Sequence, residues 1–284
     1  MSARRRFPSP VLRAAVVALL ACAAPSRAAH AVTVSPTALY ISSRSPSALL
    51  TLYNPGQRAE EIEISFGFGY PRSDSTGALQ IMITDSAAVG EPSASAWLRV
   101  FPRRMVLQPG QRQVVRVTVV APAGIADGEY WGRVMVKSRG GEPPIEQTQG
   151  QVKMALTVET TFATALFFRK GDNSTGITVP TATAARTPLG VQTTLDLERL
   201  GSAAYLGRVE LFLVDSLGRT RDSVEDVVAV YRQLRRRFVI PLPPGTGRAE
   251  RLFVRYVVDD KRPDLPPGGQ LPSSPVTATS PVRE

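Results

Sequence analysis

His30 and Cys22 are the only imidazole and the only thiol among the 284 residues. Those are the two side chains that build most nucleophilic sites, and most zinc sites as well. Both precede the end of Ala29-His30-Ala31, a small-x-small tripeptide of the kind signal peptidase cuts. A mature chain starting at Val32 therefore has neither group. Ser-His-Asp and Cys-His catalysis, His or Cys zinc sites and structural disulfides are all excluded from it. Chemistry would have to come from paired carboxylates, a lysine or an oxygen-ligand metal site. Asp259-Asp260 is the tight acidic pair of the C-terminal half, but a solvated strand end is its ordinary reading. Arg235-Arg236-Arg237 fits an anionic surface, or more simply an edge strand protected by positive charge. Asn173-Ser174-Thr175 matches a glycosylation sequon, which means little in a bacterial-looking secretory protein. No Gly-rich phosphate loop occurs between a strand and a helix. The expectation is a protein with no catalytic residues, no cofactor, no metal and no small-molecule substrate.

Residues 1–31 read as a secretory signal peptide. Arg4-Arg5-Arg6 forms a basic start, and the apolar run from Ala14 to Ala24 is too short to cross a bilayer about 30 Å thick. The arginine triplet loosely fits a twin-arginine signal, although a plain basic start is the simpler reading. Leu19-Leu20-Ala21-Cys22 resembles a lipoprotein box that would lipidate Cys22, but Leu20 is unusual there. Cleavage removes five arginines and no acid, so the formal charge falls from +10 to +5. Half of the basic character belongs to the leader, and a nucleic-acid partner is not expected. Export without disulfides suits the periplasm.

The mature chain reads as strands separated by turns, with no helical periodicity. From Val32 to Arg169 the candidates are 32–41, 48–54, 61–68, 78–84, 97–101, 113–120, 129–137 and 152–168. Asn54-Pro55-Gly56, Pro109-Gly110 and Asp127-Gly128 break them. Trp97 and Trp131 fall inside these strands as core residues. After a polar linker at Asp172–Thr175, a second set runs from Ile177 to Asp259. The expected fold class is all-β, with two β-sandwich domains in tandem at 32–170 and 171–261. Residues 262–284, rich in Pro, Gly, Ser and Thr, are expected to form a disordered tail.

The segment Val152–Phe168 is long for a strand, since about 5–6 residues is typical. Val152, Met154, Leu156 and Val158 alternate with Lys153, Ala155, Thr157 and Glu159. Such a strand either completes its own sandwich or offers apolar knobs to a partner that lacks a strand.

The order of features resembles the periplasmic pilus-assembly chaperones, the PapD-like family. The residues that carry the resemblance are Val34-Ser35-Pro36-Thr37, Leu49–Asn54 and the stretch from Pro102 to Leu107-Gln108-Pro109-Gly110 followed by Arg116. Asp127-Gly128-Glu129-Tyr130-Trp131 and Leu166-Phe167-Phe168-Arg169 complete the set. The resemblance implies immunoglobulin-like domains in a boomerang arrangement. It also implies that Val152, Met154, Leu156 and Val158 form a subunit-binding strand, which donates itself to a pilus or fibre subunit. Arg116 and Glu129 match positions that form a salt bridge near the domain junction, with Asp259 or Asp260 as a third member. The family holds the subunit's terminal carboxylate with two basic residues, but here the first position is Ala38, or nearby Leu39, and the second is Ala165. Arg44 or Arg169 would have to take the role. Lys170 replaces the usual linker proline. The function this implies is a periplasmic chaperone that stabilises fimbrial subunits by donor-strand complementation, with an outer-membrane usher as a candidate second partner. The alternative is a secreted immunoglobulin-like structural or adhesion protein.

Overall fold

The structure is a computed structural model. It describes residues 32–140, 145–149, 152–156, 159–247 and 250–284, with the backbone alone considered for 145–149 and 152–156. The N-terminal half carries β1 (Thr33–Ser35), β2 (Ala38–Ser42), β3 (Ser47–Tyr53), β4 (Glu60–Gly67), β5 (Pro71–Ser73) and β6 (Leu79–Ile81). Next come β7 (Leu98–Phe101), β8 (Arg104–Leu107), β9 (Arg112–Val119), β10 (Gly128–Arg139), β11 (Ile145–Gln149), β12 (Val152–Leu156) and β13 (Glu159–Lys170). A four-stranded sheet, β1-β3-β9-β7, faces a five-stranded one, β2-β13-β10-β4-β8. This is the immunoglobulin-like order, in which the first strand changes sheets and its second half runs parallel to the last. The change falls at Pro36, which has no N–H to give to a ladder.

Alternation builds the interior. Leu50, Leu52, Val115 and Val117 from one sheet meet Ile62, Ile64, Val134, Val136 and Leu166 from the other. Each such side chain contributes about 1.5–3 kcal/mol on leaving water. Asn54, fully buried at the end of β3, supports the turn that follows. Its amide donates to the carbonyls of Arg58 and Leu107, at 2.7 and 3.0 Å, and its Oδ1 accepts from the Gly56 N–H.

The second sandwich comprises β14 (Thr175–Thr187), β15 (Gly190–Gly201), β16 (Tyr205–Asp215), β17 (Thr220–Val230), β18 (Gln233–Ile240), β19 (Leu252–Asp259) and β20 (Val276–Arg283). The strands β14-β15-β18 pack on β17-β16-β19-β20. Val191, Leu195, Leu234 and Ile240 oppose Val209, Leu211, Val228 and Val254 across this core. The expected all-β tandem of immunoglobulin-like sandwiches is therefore the observed architecture.

Two expectations are corrected. Residues 262–284 are not a disordered tail, because β20 pairs antiparallel with β19 and parallel with β14, joining the two sheets. Composition misled here: Val276, Ala278, Ser280 and Val282 alternate with Thr, Thr, Pro and Arg, a strand pattern embedded in Pro-rich sequence. The 152–168 segment is not one strand but two, β12 and β13, in different sheets. Deleting residues 276–284 is expected to abolish cooperative unfolding of the second sandwich in calorimetry. A disordered tail would leave the transition unchanged.

Candidate functional site

Strands β10 and β13 pair along their full length, from Gly128↔Lys170 to Arg139↔Glu159. Beyond that last pair, β11 and β12 form a separate two-stranded ribbon, with Ile145↔Leu156 and Gln149↔Val152 in register. The registers Arg139↔Glu159 and Ile145↔Leu156 do not continue one another, so the two ladders are offset. Val152, Met154 and Leu156 share one face of β12 by strand alternation. Val158 lies outside the described residues. Strand β12 pairs with β11 alone among the described residues, so its second edge is unpaired. Backbone N–H and C=O groups on such an edge are a template for another strand.

At its other end β13 runs into the junction between the sandwiches. Ala38 and Ala165 are direct partners in the parallel β2–β13 ladder. Neither carries a charge. A cation does stand beside them: Arg133, on β10, is the cross-strand partner of Ala165. Its buried guanidinium donates to the Gly69 carbonyl at 2.8 Å and to the Tyr231 hydroxyl at 3.3 Å, so it ties both sandwiches together. Arg44 is exposed in the turn after β2.

Behind these residues a third apolar cluster fills the junction. Phe68, Tyr70, Trp131 and Phe167 of the first sandwich pack on Ala204, Leu206 and Tyr231 of the second. Tyr231 sits within ring-centroid distances of 4.8 Å from Trp131, 5.2 Å from Tyr70 and 5.8 Å from Phe167. Aromatic pairs in this range add about 0.5–1.5 kcal/mol beyond area burial. Trp131 is thus a core residue, but of the junction rather than of a sandwich. Trp97 ends a short 3-10 turn before β7 and packs partly buried on the first core.

Glu129 is the charged centre of the junction. Its Oε1 accepts from the Trp131 indole N–H and from the Ala204 backbone N–H, both at 2.8 Å, and its Oε2 accepts from Arg169 Nε at 2.7 Å. Arg169 also donates to the Gly269 carbonyl at 2.5 Å and lies over the Tyr40 ring at 5.2 Å. The expected Arg116–Glu129 bridge is corrected accordingly: Arg169 is the partner. Arg116 is exposed on β9, in the opposite sheet from β10. Asp259 is not a third member either, since it pairs with Arg208 at 3.2 Å and Lys261 at 3.5 Å. Asp260 accepts from the Ser273 N–H.

Residues 262–270 fold over β2. The Thr37 hydroxyl donates to the Asp264 carbonyl at 3.3 Å, and Leu265 joins the junction cluster. Gly269 lies so close to the Tyr40 ring that a Cβ there would stand 1.8 Å from it. Burial pushes the Tyr40 hydroxyl up to about 12, against the lowering charge of Arg169. On the far side of the junction, the β5–β6 ribbon reaches β18. Ser73 Oγ accepts from the Arg235 N–H at 2.7 Å and the Ser75 carbonyl accepts from its guanidinium at 3.2 Å. Arg235 also holds Asp196, and Arg236 holds Asp226, so this arginine run serves an edge strand. No group of three or more His, Cys, Asp or Glu among the described residues is arranged to hold a metal ion. No helix among them is long and apolar enough to cross a membrane.

Fold and junction together define a tandem immunoglobulin-like protein. Among solved structures, the chain is similar to the YadV chaperone at 12% identity, over 88% of this chain and 98% of that one, with a TM-score of 0.43. It is also similar to the Pseudomonas aeruginosa CupB2 chaperone (12% identity, 88% and 100% covered, TM-score 0.41). A chain from the complex of Salmonella enterica SafA pilin with the SafB chaperone is a third (14%, 88% and 96%, TM-score 0.42). No protein-family model and no curated protein matches the sequence.

The junction makes two predictions. Glu129→Ala and Arg169→Ala each leave a buried charge unpaired and are expected to cost about 3–5 kcal/mol in urea unfolding, with a less-than-additive double variant. Arg116→Ala is expected to stay within about 0.5 kcal/mol of wild type. The second concerns alkali. A tyrosine raised from 10.0 to about 12 in the fold contributes stability that is complete below pH 10 and lost as pH rises through 12. Tyr40→Phe should therefore lose less stability than wild type across that window, measured by denaturant titration at each pH.

Proposed function

We propose that this protein is a periplasmic chaperone that lends strand β12 to a pilus or fibre subunit with an incomplete sandwich. The observation that carries the reading is that β12 pairs with β11 alone among the described residues, with Val152, Met154 and Leu156 at alternate positions along it. Backbone pairing would supply affinity, and the apolar residues would fix the register. The basic start and apolar run of residues 1–31 support export to the periplasm. The binding step needs neither a metal nor a cofactor. With Ala38 and Ala165 where the resemblance expects cations, Arg133, the cross-strand partner of Ala165, is the cation the ladder places beside them. An outer-membrane usher remains the candidate second partner.

The test is co-expression of the protein with a candidate subunit and recovery of the pair from periplasm. Met154→Glu and Leu156→Glu place charges in the subunit's groove and are each expected to reduce recovery more than tenfold, since a buried unpaired charge costs several kcal/mol. Unchanged recovery would sink the reading, because a strand that serves only its own ribbon has no bearing on client yield.

A further inference from the structure

The outward faces of the two sheets in the first sandwich differ sharply in charge. On the five-stranded sheet, acids and bases answer one another across strands. Glu63 pairs with Arg104 at 2.6 Å, and Glu159 pairs with Lys137 at 2.8 Å and with Arg139. The four-stranded sheet has no acid at any outward position. In its central row Leu49, Arg116 and Phe101 are direct cross-strand partners, and the next rows place Val114 opposite Thr51 and Arg112 opposite Tyr53. Arg99 stands beside Phe101's end of the row, opposite Thr118.

These side chains reach solvent. Phe101 is 80% exposed, Leu49 55% and Val114 49%. Arg112 stacks over the Tyr53 ring at 5.0 Å, and Arg99 donates to the Leu98 and Ala96 carbonyls, so neither guanidinium is neutralised by a carboxylate. Arg116 makes no ion pair among the described residues. Three uncompensated guanidiniums on one rigid face, with apolar tips between them, call for an anionic and partly apolar counterpart.

We infer that this face docks on an anionic lipid surface, with Arg99, Arg112 and Arg116 binding headgroup phosphates and Leu49, Phe101 and Val114 entering the interface. The arrangement favours lipid over protein. Arg116 separates Leu49 from Phe101, so the apolar tips do not merge into the dry centre that a protein interface needs. Phosphates, in contrast, sit well between forked donors.

Flotation of the purified protein with vesicles tests this, comparing phosphatidylcholine alone with phosphatidylcholine plus phosphatidylglycerol. Partition is expected only with the anionic vesicles, weakening as salt rises. Arg112→Ser and Arg116→Ser should each reduce it about fivefold, the equivalent of about 1 kcal/mol per basic residue near an anionic membrane. Phe101→Ser should reduce it further with no change in melting temperature. No partition, or partition that the variants leave intact, overturns the proposal. Stronger binding to soluble polyglutamate than to vesicles also overturns it and assigns the face to an acidic protein. Client recovery through β12 is read separately and should be unaffected by these variants.

Discussion

A carboxylate sealed between two sandwiches must find a donor for each lone pair it withdraws from water, and Glu129 does so from three directions. The indole of Trp131 and the guanidinium of Arg169 come from its own sandwich, and the Ala204 N–H comes from the other. Losing any one of these would leave part of a charge unsolvated in a medium of low permittivity. The relation between the sandwiches is thus set by a requirement for satisfied hydrogen bonds, which tolerates little displacement. Apolar packing around Tyr231 adds adhesion, but it is less directional. Arg169 lies on β13, which pairs with β10 from Gly128↔Lys170 to Arg139↔Glu159.

Much of this was legible in the sequence. Alternation in Val115, Val117 and Val119, and turn chemistry at Asn54-Pro55-Gly56, located strands and the reversals between them. The absence of imidazole and thiol from residues 32–284 directed attention to binding. Other features were hidden for definite reasons. Arg116 and Arg169 are equally good partners for Glu129 on paper, and only the sheet assignment distinguishes β9 from β13. Arg133 attracted no notice, because a cation in a run of Val, Met and Gly gives no signal until its neighbour across the ladder is known.

The break between β12 and β13 shows the limit of periodicity as a guide. Alternation persists through 152–168, yet backbone pairing changes partner within it, because register depends on both strands of a hairpin. The intervening lengths of five and two residues are unequal, and no side-chain pattern on one strand records that. Residues 276–283 show the converse. A strand was present but obscured by the prolines around it, and its place is set by the preceding strand β19 together with β14, far earlier in the chain.

The β5–β6 ribbon lies against β18, the terminal strand of its sheet. An uncovered strand at that position would recruit copies of the same molecule, and a protein with two open edges can polymerise head to tail. Covering β18 withdraws that edge from such pairing, whereas β12 pairs with β11 alone among the described residues.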